Sequence, residues 1–141
     1  MVLRGPRGER GQAMVEFALV MPIFLLLVIG VIEFGRAWNM QQTLADASRE
    51  GARRAAVFDP SLQQATVDSA IRRKIEASGF RPGDATIEWP LGFTGLTRGD
   101  VVEVRVRMPY RFVFLRPLIN LANTSSDGTL QLRSATQMRK E

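Results

Sequence analysis

From Phe17 to Ile32 the chain reads FALVMPIFLLLVIGVI without a single charge. With Gln12 to Val15 on one side and Glu33 on the other, the stretch reaches the roughly 20 residues that cross a bilayer as a helix. No other segment of the 141 residues is long and apolar enough to do so. The chain before it, MVLRGPRGERG, carries Arg4, Arg7 and Arg10 against Glu9, whereas only Arg36 lies close behind the apolar run. This asymmetry predicts an N-terminus in the cytoplasm and everything after Phe34 outside. The glycines and Pro6 of the leader argue against a stable helix there.

Three readings compete for such a stretch. As a secretory signal it has a basic n-region and an apolar h-region, but the run is long, Val28-Ile29-Gly30 is only a mediocre small-residue cleavage site, and Glu33, Phe34 and Arg36 follow. As an uncut signal anchor it leaves Glu16 unexplained, because an ionised carboxylate inside an apolar helix costs a few kcal/mol, about 2.5 to 3.5 near its centre. In the third reading a peptidase cuts after Gly11, ahead of the apolar run, and Gln12 becomes the first residue and Glu16 the fifth. When such helices lie parallel, the carboxylate of one neutralises the new ammonium of a neighbour, and an unpaired one is penalised. The pairing then serves register more than stability.

The residues GQAMVEFALVMPIFLLLVIGVIEFGRAW, followed by LADASREGARRAA, resemble the N-terminal region of TadE-like proteins, the minor pilins or pseudopilins of the tight-adherence (Tad, type IVc) pilus. The likeness covers roughly residues 7–56, with a weaker echo in the closing SATQMRKE. A glycine followed five residues later by glutamate is a weak signal alone; VEFALV, Pro22 within the run, the EFGR exit and REGAR occur here together and in order. The resemblance implies that Gly11 and Gln12 flank the bond cut by a prepilin peptidase and that Glu16 is the fifth-position glutamate. It also implies the partners: that peptidase, the Tad inner-membrane assembly platform, and other Tad pilins and pseudopilins. The implied location is the bacterial inner membrane, single-pass, with possible later association with the pilus. Glutamine at the first mature position departs from the bulky apolar residue of many pilins, and its cyclisation would remove the amine that Glu16 is to meet.

Beyond the membrane, Met40, Leu44, Ala47, Gly51, Ala55 and Phe58 recur at steps of three and four, opposite Gln42, Asp46, Arg49 and Arg53, so the helix is expected to continue to about Val57. Unbroken from Gln12 it would be a rod of about 70 Å. Pro22 predicts a kink, and Gly30 and Gly35 permit bending or close helix approach. Asp59-Pro60 is the expected start of a second helix buried through Val67, Ile71 and Ile75 and stopped at Gly79-Phe80. The period then changes to two. Ile87 and Trp89 mark a short strand, and Val102, Val104, Val106 and Met108 alternate with Glu103, Arg105 and Arg107 as a strand covered on one side. Tyr110, Phe112 and Phe114 continue the alternation, and Leu130 to Met138 supply a last strand. The predicted fold is α+β: leader 1–11, transmembrane helix 12–33, and a head 34–141 in which a second helix and an antiparallel sheet pack on the outer part of the long helix.

With neither cysteine nor histidine, the chain is without thiolate or imidazole chemistry, disulfides, and the usual zinc sites. No cofactor and no metal is expected. Its net charge of +5, from 19 basic and 14 acidic residues, is spread along the chain rather than gathered on one face, so nucleic acid is not an expected partner. Carboxylate pairs such as Asp84 and Glu88, or Asp100 and Glu103, occur on any globular surface. Ser48, Ser69, Ser78 and Lys74 have no catalytic motif around them, and Asn123-Thr124-Ser125 is a short sequon that a turn explains equally well. The chain is expected to be a structural subunit and not an enzyme. The alternative is an exported or membrane-anchored binding module with no pilus role.

Overall fold

The computed structural model describes residues 7–57, 61–94, 97–114 and 128–141, with side chains from Gly11 onward. One helix, α1 (Arg7–Ala56), takes 50 residues. It is followed by α2 (Gln64–Ala77), a single 3-10 turn (Pro82–Asp84), and the strands β1 (Thr86–Glu88), β2 (Val101–Arg111) and β3 (Thr129–Arg139). The fold is α+β, as expected. At 1.5 Å per residue α1 is about 75 Å long. It starts at Arg7, so Arg7 to Gly11 are helical although the leader was expected not to be. Extending an existing helix by one turn avoids the nucleation cost that a free peptide would face. The helix also continues through Pro22, where the bond to the carbonyl of Ala18 is lost for want of an amide hydrogen.

The sheet is antiparallel in the order β1-β2-β3. The even-numbered residues of β2, Val102, Val104, Val106, Met108 and Tyr110, face the helices and are buried with Leu44, Ala47, Ala52, Val67, Ile71 and Ile75. Period-two alternation puts them all on one side. Small residues on α1 set the approach: at Gly51 an added Cβ would lie 2.5 Å from Cδ1 and 2.9 Å from Cγ1 of Ile71. Pro109 is tolerated in a central strand because the ladder with β1 ends at Arg107, so its missing amide costs no bond there.

Three expectations are corrected by the local chemistry. The second helix starts at Gln64, after an Ncap Gln63 that makes no side-chain cap bond; the expected start at Asp59-Pro60, like Phe58, lies outside the described residues. Its end matches the expectation: Gly79 has φ of +83°, its amide bonds the carbonyl of Glu76 at 2.9 Å, and the Phe80 amide bonds that of Ile75 at 3.3 Å. Those are the two bonds of a Schellman stop. Glu103, expected on the open side of β2, is buried on that face, where it accepts from Arg105 Nε and, at 2.9 Å, from Gln137 Nε2 across the strand pair. Those bonds, Gln137 first, hold its carboxyl below the usual range. Finally, β2 ends at Arg111, and Phe114 is exposed instead of continuing the buried face. The sequon Asn123-Thr124-Ser125 and most of the 120–128 loop lie outside the described residues.

Candidate functional site

Along α1 the surroundings change abruptly at one residue. From Gly11 to Ile32 the side chains are exposed or only partly covered, with Phe17, Leu19, Ile23 and Leu27 all more than 60% exposed; Glu33 is 1% exposed. The helix is long and apolar enough to cross a membrane, and none of its most apolar stretch is buried within the chain. One helix thus serves two environments: an unburied apolar rod below Glu33, and the central support of the head above it.

Each sequence-selected residue has a definite place on this rod. The Gly11-Gln12 bond lies within α1, and a Cβ at Gly11 would meet nothing within 4 Å. Gln12 and Glu16, one turn apart, face the same way, and Gln12 Nε2 donates to Glu16 Oε1 at 3.1 Å on the exposed surface. Within one chain, therefore, the side-chain amide of Gln12 already serves Glu16. Pro22 sits mid-rod, and Gly30 and Gly35 likewise have open space where a side chain would go. Phe34 and Trp38 stack on the outside of the helix, with centroids 6.1 Å apart and planes at 27°.

Glu33 is tied to the head. Its Oε1 accepts from the backbone amides of Val113 at 2.7 Å and Phe114 at 2.6 Å. The Tyr110 hydroxyl donates to Oε2 at 2.5 Å and approaches the Glu33 backbone carbonyl at 3.1 Å. Three donors among the described residues satisfy this buried carboxylate. Burial, and then the hydrogen bond and negative charge of Glu33, push the Tyr110 phenol up to about 12. Sequence reading placed Glu33 at the end of the span and Tyr110 in the core without joining them. The available signal was the rule that a buried tyrosine hydroxyl needs a partner.

Higher on α1, Ser48 is fully buried and its Oγ lies 2.9 Å from the Ala45 carbonyl, 3.0 Å from Ser134 Oγ and 2.8 Å from Thr136 Oγ1. It is a hydroxyl cluster joining helix to sheet. The outward face pairs its charges: Glu50 accepts from Arg54 Nε at 2.6 Å and from Arg53 Nη2 at 3.0 Å, and the Arg54 bond first holds its carboxyl below the usual range. A cleft of about 530 Å³ between α1 and α2 is lined by these groups with Arg49, Arg73 and Lys74.

Residues 11–53 match the family model of TadE-like proteins. The TadE-like segment begins at the glycine of the expected cleavage bond and takes in the whole apolar rod, Glu33, and the helix face carrying Ser48 and Gly51. The strand residues that meet that face lie outside it. The match supports a Tad pilus-associated protein, and the unburied apolar rod supports membrane anchoring. No curated protein and no solved structure matches the chain.

Proposed function

We propose that this TadE-like chain is a pilin-like structural subunit required for assembly of a Tad (type IVc) pilus, held in the bacterial inner membrane with its N-terminus in the cytoplasm. It is a building block and not a catalyst. A prepilin peptidase removes the leader after Gly11, and the mature chain joins other Tad pilins and pseudopilins on the inner-membrane assembly platform. The observation that carries the reading is the division of α1 at Glu33: an apolar rod none of whose residues is buried by the described residues, continued as one helix into a packed head. Such a rod is stable only in lipid or against neighbouring helices. Cleavage fits the local physics, since Gly11 lowers helix stability by about 1 kcal/mol relative to alanine and eases the unwinding a peptidase needs.

In the assembled state Glu16 exchanges its contact with the Gln12 side chain for the amino terminus of a neighbour. A Glu16→Gln variant is expected to be inserted and processed normally and to be lost from the assembly; normal incorporation would remove Glu16 from the reading. The primary test is intact mass and N-terminal peptide mapping of the chain from native membranes, with a peptidase-deficient strain beside it. A peptidase-dependent start at Gln12, free or cyclised, is expected. A start near Val31 would leave a soluble exported head, and an intact leader a plain anchor; either refutes the proposal.

A further inference from the structure

The geometry points to a second membrane contact on the head: the corner formed by Val113 and Phe114 rests in the interfacial layer of the bilayer, seated there by Glu33. The inference rests on the reading of α1 as embedded in lipid below Glu33. Both amides of this corner bond one carboxylate oxygen of Glu33, at 2.7 and 2.6 Å, which fixes the corner at the height where the rod leaves the apolar layer. The polar layer on each side of a bilayer is about 5 to 7.5 Å deep, from a hydrocarbon thickness of roughly 30 Å in a total of about 40 to 45 Å. At 1.5 Å per residue that layer spans about four residues of helix above Ile32.

Exposed aromatic and aliphatic side chains lie at or just above this level, beside the exposed Arg36. Phe34 is 69% and Phe114 55% exposed, with Val113 exposed beside it and Trp38 about one turn above Phe34. Tryptophan at the water boundary and phenylalanine on an apolar face laid into it both suit the interface, whereas the same surface in bulk water is unfavourable. The occupant is lipid because the patch is continuous with the unburied rod: Phe34 follows Glu33 on α1, and Phe114 is bonded to Glu33 from the head side. The corner and the rod thus hold the head at two points and fix its tilt on the membrane, and withdrawal of the subunit must release both.

The absence of cysteine makes the test direct. Single variants Phe114→Cys, Phe34→Cys, Phe24→Cys and Glu141→Cys, each in the full chain, are labelled with a nitroxide and reconstituted in phosphatidylethanolamine–phosphatidylglycerol vesicles. Collision with oxygen, which enters lipid, is compared with collision with a water-soluble nickel chelate. The expected oxygen-to-nickel ratio at 114 is close to that at 34 and several-fold above that at 141, which lies beside Ala56 at the opposite end of the head. Adding Glu33→Ala should drop the ratio at 114 toward the aqueous value and leave 34 unchanged; Glu33→Gln, which keeps an acceptor for both amides, should not. A label at Val113 repeats the measurement if the one at 114 perturbs the corner. An aqueous ratio at 114 with lipid ratios at 24 and 34 overturns the inference alone. Protection of 114 from both reagents also overturns it, as it means a contact between protein surfaces. Aqueous ratios at 24 and 34 as well overturn the membrane reading itself.

Discussion

Tyr110 is the single tyrosine of the chain, so its titration is read without ambiguity from tyrosinate absorbance. Its phenol is pushed from an ordinary value near 10 up to about 12, first by burial and then by the hydrogen bond and charge of Glu33, with Arg36 opposing. The folded chain holds the proton more tightly than the unfolded one. The contribution is therefore complete below pH 10, where both states are protonated, and is lost as pH rises through 10 toward 12, where the unfolded state ionises first. Two pKa units correspond to about 3 kcal/mol. With the full chain in micelles, tyrosinate should appear only near pH 12, together with loss of head structure followed by circular dichroism. Glu33→Gln removes the negative neighbour but not the burial, so the midpoint should fall below 12 and stay above 10. A wild-type midpoint near 10 with the dichroism intact would refute the placement of Tyr110 against Glu33.

The head's packing makes further measurable demands. Glu33→Ala strips two backbone amides of their acceptor while Tyr110 keeps the Glu33 carbonyl, and it should cost about 2 to 3 kcal/mol in denaturant unfolding; Glu33→Gln, which preserves the amide acceptor, should cost about 1. Gly51→Ala drives a methyl into Ile71, and its overpacking cost of about 1 to 3 kcal/mol exceeds the roughly 1 kcal/mol gained in helix propensity, so the melting temperature should fall. Gly35→Ala meets open space and should leave the isolated chain as stable or slightly more so; any defect it shows in pilus assembly would then report a helix neighbour. Ser48→Val places a methyl against two hydroxyls and should cost about 1 to 3 kcal/mol, read by the same unfolding curve.

What could be read in the sequence was what repeats at a fixed step. Met40, Leu44, Ala47, Gly51 and Ala55 are buried on one stripe of α1, and Val67, Ile71 and Ile75 on α2, because a helix returns the same face every three or four residues. Val102 to Met108 are buried for the corresponding reason in a strand. What could not be read depended on partners far along the chain. Glu33 meets donors 77 to 81 residues away, and no local pattern encodes that pairing. The same pairing explains why the alternation holds through Phe112, which packs against the core, and fails at Phe114: the amides of Val113 and Phe114 turn to a carboxylate, so they do not continue the ladder. Glu103 is covered through Gln137 on the neighbouring strand, and Gln63-Gln64 begins a helix without any capping side chain that would announce it.

Two carboxylates bracket the apolar rod, and their settings separate their roles. Glu16 and Glu33 are 17 residues apart in sequence, about 25 Å along the helix and close to the roughly 30 Å of bilayer hydrocarbon. Either one is costly in lipid unless it has donors. Glu33 has three among the described residues of its own head, so it needs nothing from another subunit and serves to fix the head on the rod. Glu16 has the exposed side-chain amide of Gln12, a neutral and replaceable donor at the helix surface. In the proposed assembly a charged amino terminus on a neighbouring helix would offer a stronger bond than a neutral amide, so exchange at Glu16 would favour a second subunit, while the same exchange at Glu33 would first have to open the head. On the proposed function, selection of neighbours thus belongs to the N-terminal end of the rod, and orientation of the head to the other.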